Sequence, residues 1–165
     1  MSITSERLRE LLNYDEATGL FRWKKCYFKN RIGTIAGKAH RQGYRQITLA
    51  GRSYLCHRLA WLYVYGDWPV GRLDHKDLCP DHNWISNLRL ATQSQNCGNQ
   101  RVRRNNKAGL KGVFPRKGTD RWRAFITKDG RRMNLGTYPS AKEAHAAYCI
   151  AAQQIFGEFA QTGSR

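Results

Sequence analysis

The sequence contains few acidic residues and no long apolar segment. Twelve Asp and Glu stand against 29 Lys and Arg, which gives a formal net charge of +17. A cationic surplus of this size favours nucleic acid as the partner. No stretch approaches the roughly 18 to 20 apolar residues of a membrane helix. The opening MSITSERLRE has no apolar signal core, and no basic amphipathic helix is present. We therefore expect a soluble, intracellular protein without a membrane partner.

Paired cysteines, internal repeats and low-complexity tracts are also missing. The five cysteines are scattered without a paired spacing, and their odd number argues against a secreted disulfide framework. The chain is otherwise typical of a folded protein, because 41% of its 165 residues are hydrophobic and 12% are aromatic. This length is sufficient for one ordinary core or two small ones.

The N-terminal part of the chain alternates between helix and strand patterns. Apolar residues at helical spacing predict a helix over residues 5–13, with Ser5 as its cap. A short strand is predicted at 20–25. Alternation of apolar and polar residues between 43 and 56 predicts a β-hairpin. A short buried helix follows it and ends at Gly66.

The middle of the chain, residues 71–96, predicts a strand, a loop, a second strand and a helix. GRLDH and LRLA are the strands, KDLCPDHNWISN is a long polar loop between them, and a capping box from Thr92 to Gln95 begins the helix. Acidic, histidine and asparagine side chains concentrate here, although the rest of the chain is basic. These side chains are Asp74, His75, Asp77, Asp81, His82, Asn83, Asn87 and Asn96.

A histidine beside an aspartate, with a further oxygen ligand from a helix, is suited to phosphodiester hydrolysis. The attacking water must lose a proton while the leaving oxygen gains negative charge. The reaction therefore needs a general base and a divalent metal held by hard oxygen ligands. In this interpretation His75 is the base, and Asp74 and the Asn96 oxygen hold a Mg²⁺-like ion. The residues alone leave a second interpretation open, in which the same side chains form polar turns.

Five short motifs in this order resemble the HNH endonucleases of the phage and homing-endonuclease branch. They are H-R-L-A-W at 57–61, D-W-P-x-G at 67–71, D-H at 74–75, N-x-x-x-N-L-R at 83–89 and A-T-x-x-Q-N at 91–96. The resemblance implies an α+β protein with the ββα-metal (His-Me finger) fold over about residues 54–100. Residues 1–53 would then form an N-terminal extension of the same HNH nuclease module, which spans 1–100.

The same resemblance assigns roles within this segment. Asp74 and Asn96 are the implied metal ligands, and His75 is the implied general base. Asn87 is implied to brace the loop and to orient His75 by hydrogen bonds. The implied cofactor is one divalent metal ion, Mg²⁺ in preference to Mn²⁺.

The loop between the two strands departs from the short loop of many relatives. It carries Cys79 and His82, and Cys97 lies in range as a third ligand, whereas a structural zinc normally needs four protein ligands. Structural zinc is therefore not expected. We expect Cys79 and His82 to serve in loop packing and phosphate contact, and His57 and Asn83 to have a structural or DNA-contacting role.

Beyond residue 100 the pattern changes. Residues 101–107 are polar and basic and are expected to form a linker. Residues 108–160 predict three short strands and one helix, which Ser140 caps and Gly157 ends. Strand alternation turns one apolar set of side chains toward the helix. This set contains Val113, Trp122, Ala124, Ile126, Met133 and Leu135.

Four motifs after the linker carry a second resemblance. They are G-V at 112–113, W-x-A-x-I at 122–126, L-G-T-Y at 135–138 and E-A-x-x-A-Y-x-x-A-A at 143–152. Residues 108–160 thereby resemble the plant ethylene-response-factor DNA-binding domain, the APETALA-two family. The resemblance implies a three-stranded antiparallel sheet packed on one helix, with the open face of the sheet in a DNA major groove. Phe114 and Asn134 replace the Arg and Trp of plant members, so the base preference of those members does not transfer.

The linker, the open sheet face and the adjoining turns supply the expected DNA contacts. Arginine can bind guanine edges and asparagine adenine edges, whereas cations on loops mostly neutralise phosphates. The expected DNA-contacting residues are Arg101, Arg103, Arg104, Phe114, Arg116, Arg121, Arg123, Thr127, Arg132 and Asn134.

We therefore predict a DNA endonuclease in which one module cuts double-stranded DNA and the other holds it. One active site per chain predicts a monomer that nicks one strand, in the cytoplasm of a bacterial host if a phage encodes the protein. One alternative is a catalytically silent DNA-binding regulator, which would have lost Asp74, His75 or Asn96. Another is an RNA-directed nuclease or RNA-binding module, which would be expected to have a more aromatic sheet face.

Overall fold

The computed structural model describes residues 2–163, which form a mixed α+β protein with small sheets. The chain divides into two compact units, Met1–Leu90 and Ala91–Arg165. The boundary lies before the linker predicted at 101–107, because the helix that precedes this linker packs against the second unit. Within residues 2–163, no helix has both the length and the apolar character needed to cross a bilayer.

The first unit is built from short strands and two α-helices within its described residues, with short 3-10 turns between them. The elements are α1 (Ser5–Leu11), β1 (Leu12–Asp15), β2 (Leu20–Trp23), β3 (Lys38–Ala39), β4 (Arg45–Leu49), β5 (Arg52–Leu55), α2 (Cys56–Tyr65), β6 (Arg72–His75) and β7 (Leu88–Ala91). Strand β1 pairs with β2, strands β3, β4 and β5 form an antiparallel sheet, and β6 pairs with β7. Strand β7 ends at the boundary between the units.

Local chemistry explains where these elements begin and end. The hydroxyl of Thr4 accepts a hydrogen bond from the first turn of α1, so Thr4 is the cap and the prediction of Ser5 was wrong by one residue. The predicted hairpin forms, and Ala50 and Gly51 in its turn have φ of 48° and 75°. Two left-handed residues are typical of the turn that matches the twist of paired strands. Helix α2 ends at Gly66, as predicted.

A cluster of buried apolar side chains holds the first unit together. Its largest members are Leu8, Leu12, Phe21, Ile47, Leu49, Leu59, Leu62 and Leu88. Tyr14 packs at the edge of this cluster, with its ring centroid 4.8 Å from that of Phe21. The Tyr14 hydroxyl donates a hydrogen bond to the backbone oxygen of Asn83 at 2.7 Å. The apolar core therefore anchors the polar loop between β6 and β7.

The second unit begins with a short helix and continues as a sheet covered by a longer helix. Its elements are α3 (Gln93–Asn99), β8 (Val113–Pro115), β9 (Trp122–Lys128), β10 (Arg131–Tyr138) and α4 (Ala141–Phe156). The strands form an antiparallel sheet in the order β10, β9, β8, and α4 packs against all three. Ser140 caps α4, and the predicted capping box begins α3.

The inner face of this sheet follows the predicted alternation with one exception. Val113, Ala124 and Ile126 are buried against α4, and the other predicted residues of the set, apart from Met133, pack beside them. Met133 is 37% exposed, so its assignment to the core was wrong. It pairs with Ile126 on the central strand, but it lies on the edge strand β10, which has a neighbour on one side only.

Gly19, in the turn after β1, lies close to the backbone of the loop between β6 and β7. Its φ is +70°, and a Cβ here would lie 2.3 Å from the backbone nitrogen of Trp84. We expect Gly19→Ala to destabilise the protein more than Gly33→Ala, because Gly33 has a φ of +82° but open surroundings. The left-handed backbone costs each variant about 1 to 2 kcal/mol, and overpacking adds about 1 to 3 kcal/mol at Gly19 alone. Chemical denaturation measures both free energies of unfolding, and equal losses would contradict this close packing.

Candidate functional site

Two titratable side chains lie buried at the end of β6. Asp74 and His75 are 5% and 6% exposed. A buried carboxylate requires a partner. Arg89 on β7 supplies one, because its Nε and Nη2 atoms each lie 3.0 Å from Asp74 Oδ2. The pairing of β6 with β7 thus places a charge-compensated carboxylate next to an imidazole.

Asn83 holds the imidazole of His75 by a hydrogen bond. Asn83 is fully buried, and its Nδ2 donates to the backbone oxygen of Asp81 at 2.9 Å. This orientation places Asn83 Oδ1 3.2 Å from His75 Nε2. An amide oxygen only accepts hydrogen bonds, so the matching tautomer of His75 has its proton on Nε2 and its basic lone pair on Nδ1. Burial lowers the pKa of His75, which favours the neutral imidazole.

Asn87 makes its hydrogen bonds within the loop between β6 and β7. Its Nδ2 donates to Asp77 Oδ1 at 3.0 Å and to the backbone oxygen of His82 at 2.8 Å. Its Oδ1 accepts from the backbone nitrogen of Asp77 at 3.2 Å. The Asn87 amide thus braces the loop, and Asn83 contributes a hydrogen bond to His75. The predicted role of Asn87 in orienting His75 stays a prediction.

The two loop acids hold the loop in shape. Asp77 Oδ1 accepts from the backbone nitrogen of Cys79 at 2.9 Å, and its Oδ2 lies 2.5 Å from His82 Nδ1. Burial raises the pKa of Asp77, but the hydrogen bonds from Cys79, His82 and Asn87 together lower it further, so the net shift is downward. Asp81 forms a bidentate pair with Arg45, at 2.9 and 3.0 Å. The Asp77 carboxylate is therefore engaged within the loop, and the Asp81 carboxylate is engaged by a side chain of β4.

His82 and Asn83 divide between the two roles predicted for them. The imidazole of His82 stacks on Trp84, with ring centroids 4.5 Å apart, and remains partly exposed. His82 is therefore accessible for contact with a phosphate. The burial of Asn83 is consistent with a structural role only.

His57 packs against His75 from the start of α2. The two ring centroids are 5.2 Å apart, and the Tyr44 ring lies 5.4 Å from that of His57. His57 is only 7% exposed, and its Nδ1 has no hydrogen-bond partner among the described residues. Burial, reinforced by the nearby His75, lowers the pKa of His57 to about 3. This environment favours the structural role predicted for His57 over contact with DNA.

The donors at the end of β6 suit a hard divalent cation better than zinc. Mg²⁺ is usually held by one or two carboxylates and keeps several waters, so a single carboxylate such as Asp74 is compatible with it. Within residues 2–163, no three His, Cys, Asp or Glu side chains converge on one point. A closed zinc site would need four ligands, and His82 Nδ1 is already engaged by Asp77.

Asn96, the second predicted metal ligand, lies on α3 in the second unit. Helix α3 is fixed there by two contacts at its C-terminal end. A Cβ on Gly98 would come 2.8 Å from the Phe156 ring, so the helix and the ring are in close contact. Lys111 Nζ donates to the backbone oxygens of Gly98 and Gln100, and burial lowers the pKa of Lys111 to about 8. The joint coordination of one ion by Asp74 and Asn96 stays a prediction.

The strand register of the second unit places the predicted DNA-contacting residues on the sheet face opposite α4. Phe114 pairs with Arg123, Arg132 with Thr127, and Asn134 with Phe125. Paired residues share a face, and this face alternates with the one buried against α4. The Arg132 guanidinium lies 3.9 Å from the Phe125 ring centroid and 5.0 Å from that of Phe114. Two aromatic rings thus fix one arginine on an open face.

The basic linker forms one side of a cleft within the second unit. The cleft has a volume of about 1120 Å³, and Arg101 and Arg103 line it together with Phe114, Phe125 and Arg132. The remaining predicted DNA-contacting residues outside the strands are exposed. They are Arg104, Arg116 and Arg121.

Four residues that shape the site were not identified from the sequence. The sequence could have indicated Arg89, because it belongs to the N-L-R motif that also contains Asn87. It gave no indication of Tyr14, Gly19 or Arg45, since each reaches the loop between β6 and β7 from far along the chain.

Comparison with known proteins identifies the class to which this site belongs. Residues 54–97, which contain β6, its loop and most of α3, match the HNH endonuclease family model. The chain is also 33% identical over 96 residues to protein 3.8 of Escherichia phage T7, an alignment that covers 58% of this chain and 77% of the phage protein. The chain therefore carries an HNH endonuclease domain and belongs to a family with phage and viral members.

A giant-virus protein extends the comparison into the second unit. The chain is 30% identical over 124 residues to the uncharacterized HNH endonuclease L560 of Acanthamoeba polyphaga mimivirus. This alignment covers 73% of the chain but only 62% of the viral protein's length. No solved structure matches the chain with significance. The family relationship supports a nuclease function with DNA as the substrate.

The burial of His57 predicts a loss of stability in acid. The unfolded state takes up a proton near pH 6.5, whereas folded His57 does so only near pH 3. The stability is therefore complete above about pH 6.5 and falls as the pH drops below it, by at most about 1.4 kcal/mol per pH unit. His57→Phe keeps a ring against Tyr44 but cannot take up this proton. We expect the free energy of unfolding of this variant to fall by about 1 to 2 kcal/mol less than that of wild type between pH 7 and pH 5. Urea unfolding at both pH values measures this, and identical losses would show that His57 is not the group responsible.

Proposed function

We propose that the protein is a metal-dependent endonuclease that cuts duplex DNA at preferred sites, with His75 as the general base. The observation that carries this proposal is the hydrogen bond from His75 Nε2 to the buried Asn83, beside the Asp74 carboxylate, inside the segment that matches the HNH family. In the tautomer that matches this hydrogen bond, the basic lone pair of the imidazole lies on Nδ1, the nitrogen that we assign to proton transfer.

In the proposed reaction, His75 Nδ1 accepts a proton from a water molecule. The water oxygen forms a bond to the phosphorus of a DNA phosphodiester, and the bond from phosphorus to one sugar oxygen breaks. Asn83 keeps the imidazole in the required tautomer, in the way that second-layer partners orient catalytic histidines. Arg89 fixes the Asp74 carboxylate at the end of β6 by its two contacts with Oδ2.

Asp74 and Asn96 would hold the divalent ion, for which Mg²⁺ is favoured over Mn²⁺. When bound, such an ion stabilises the negative charge that develops on the leaving oxygen. A carboxylate and an amide oxygen are donors that both of these hard cations accept.

The second unit would hold the DNA and provide the site preference. Its three-stranded sheet and covering helix support the APETALA-two-type assignment, and its open face carries arginine, threonine and asparagine side chains that can bind base edges and phosphates. Linking a cutting site to a DNA-holding site raises the effective concentration of each at the other's target. With one active site per chain, a monomer would nick one strand, as a homing-type enzyme acting in the host cytoplasm.

A plasmid assay tests the nuclease directly. We expect wild type with Mg²⁺ to convert supercoiled plasmid to open circles, and excess chelator to stop the conversion. His75→Ala should reduce the rate by about 10² to 10⁴-fold, the usual contribution of a general base, while a gel shift still shows bound DNA.

The same assay separates the nuclease from a catalytically silent DNA-binding regulator. If wild type binds plasmid but does not nick it with Mg²⁺, Mn²⁺ or other divalent ions, across DNA from several sources, the regulator replaces the nuclease. If His75→Ala nicks as fast as wild type, the assignment of the general base is wrong.

A pair of charge-removing variants tests the sheet face. Arg123 is exposed on the open face of the sheet, whereas Lys142 is exposed on α4 at the opposite side. We expect Arg123→Ala to weaken duplex binding by about 1 to 3 kcal/mol and to lower the slope of log affinity against log salt by about one. Lys142→Ala removes the same charge and should change both quantities little. Fluorescence anisotropy at several salt concentrations measures this, and equal effects of the two variants would argue against binding through the sheet face.

A further inference from the structure

A long segment of the first unit contains cations but no acids. Between Glu16 and Asp67 the sequence has no Asp or Glu, although ten Lys and Arg occur there. These are Arg22, Lys24, Lys25, Lys29, Arg31, Lys38, Arg41, Arg45, Arg52 and Arg58. Arg45 pairs with Asp81 and so belongs to the site described above. The charge pattern favours a polyanion on this part of the molecule.

One loop in this segment, residues 24–33, is fixed at both ends by backbone hydrogen bonds. The nitrogens of Lys24 and Lys25 donate to the oxygen of Leu11, and the nitrogen of Gly33 donates to the oxygen of Trp23 at 2.7 Å. The Trp23 nitrogen in turn donates to the Thr34 oxygen. A loop closed in this way presents its side chains in a defined arrangement, so binding through it requires little further ordering.

The tip of this loop exposes aromatic side chains. Tyr27 is 92% exposed and Phe28 is 56% exposed, and their rings meet edge to face with centroids 5.1 Å apart. The Arg31 guanidinium lies 5.2 Å from the centroid of the Phe28 ring. Ile32 adds a further apolar side chain that is 51% exposed. Exposed apolar side chains grouped on a fixed loop indicate a contact surface rather than part of a core.

Cations surround these rings. The side chains of Lys24, Lys25, Lys29 and Arg31 are all exposed. Rings between phosphate-binding cations are the combination by which proteins stack on bases or insert apolar wedges between base steps.

We infer that the loop at 24–33 is a second DNA-binding site, in which the cations hold phosphates and Tyr27 inserts between base pairs. This inference rests on the proposed function, because the DNA that the site would bind is the substrate of the adjoining HNH domain. Its ligand is duplex DNA, and the insertion of Tyr27 unstacks one base step and locally unwinds the helix.

Affinity measurements separate the ring from the cations. All variants are made in the full chain with His75→Ala, so that DNA is bound but not cut, and the probe is a fluorescent 30-base-pair duplex of mixed sequence. We expect Tyr27→Ala to weaken binding roughly 5- to 100-fold without changing the salt slope, as loss of one ring-base contact would. The double variant Lys24→Gln, Lys25→Gln should lower the slope by about two. Tyr65→Ala is the matched control, because Tyr65 is 56% exposed on α2 in the same unit and lies outside the loop.

Unwinding provides the measurement that phosphate contacts alone would not change. Plasmid relaxed by a topoisomerase in the presence of the His75→Ala protein should show a shift in linking number after the protein is removed. The shift should disappear with Tyr27→Ala and persist with Tyr65→Ala. Thermal unfolding of the Tyr27→Ala protein should match that of its His75→Ala parent, since a side chain that is 92% exposed adds little to stability.

The outcomes distinguish this inference from the proposed function. In one outcome, wild type nicks plasmid, but Tyr27→Ala and the double lysine variant bind DNA and shift the linking number as strongly as their His75→Ala parent. The loop is then not a DNA-binding site, and the proposed nuclease function stands. If wild type neither binds nor nicks DNA, the proposed function fails first. If anionic phospholipid vesicles bind at physiological salt, and the loop variants abolish vesicle binding but not DNA binding, the loop is a membrane contact and the inference is overturned.

Discussion

The hydrogen bond between Asn83 and His75 is the interaction on which the candidate active site depends. It fixes the tautomer of the imidazole, and it requires the loop after β6 to return Asn83 to a fully buried position. Two residues outside the loop stabilise this path. The Tyr14 hydroxyl donates a hydrogen bond to the backbone oxygen of Asn83, and Arg45 forms an ion pair with Asp81. The position of the His75 imidazole is thereby tied to the apolar core of the first unit through a few polar contacts.

Much of the fold was predictable because its signals are local. The capping box at Thr92, the glycine after α2 and the alternation along β8 and β9 each depend on residues within one turn or strand. The pair Asp74 and His75 was recognisable for the same reason, since two adjacent residues at a strand end carry the motif. The pairing of β6 with β7 then accounts for the contact between Arg89 and Asp74, which lie on these two neighbouring strands.

The sequence did not determine which asparagine contacts His75. Asn83 and Asn87 are both in the motif, and the choice between them depends on the path of the loop. That path is set by Asp77, which collects donors from Cys79, His82 and Asn87, and by partners distant in sequence such as Tyr14 and Gly19. The exposure of Met133 had a similar cause, because alternation identifies a face but not whether the strand lies at the edge of its sheet.

Helix α3 lies mostly inside the HNH sequence segment but folds as part of the second unit. The HNH sequence segment, residues 54–97, includes most of it, yet its C-terminal end is held by Lys111 and Phe156 of the second unit. A fragment that ended in the basic linker would leave α3 without the surface it packs on. Recombination that exchanged the second unit among proteins with this HNH domain would therefore preserve a folded protein only if the crossover lay upstream of α3, inside the segment that matches the HNH family.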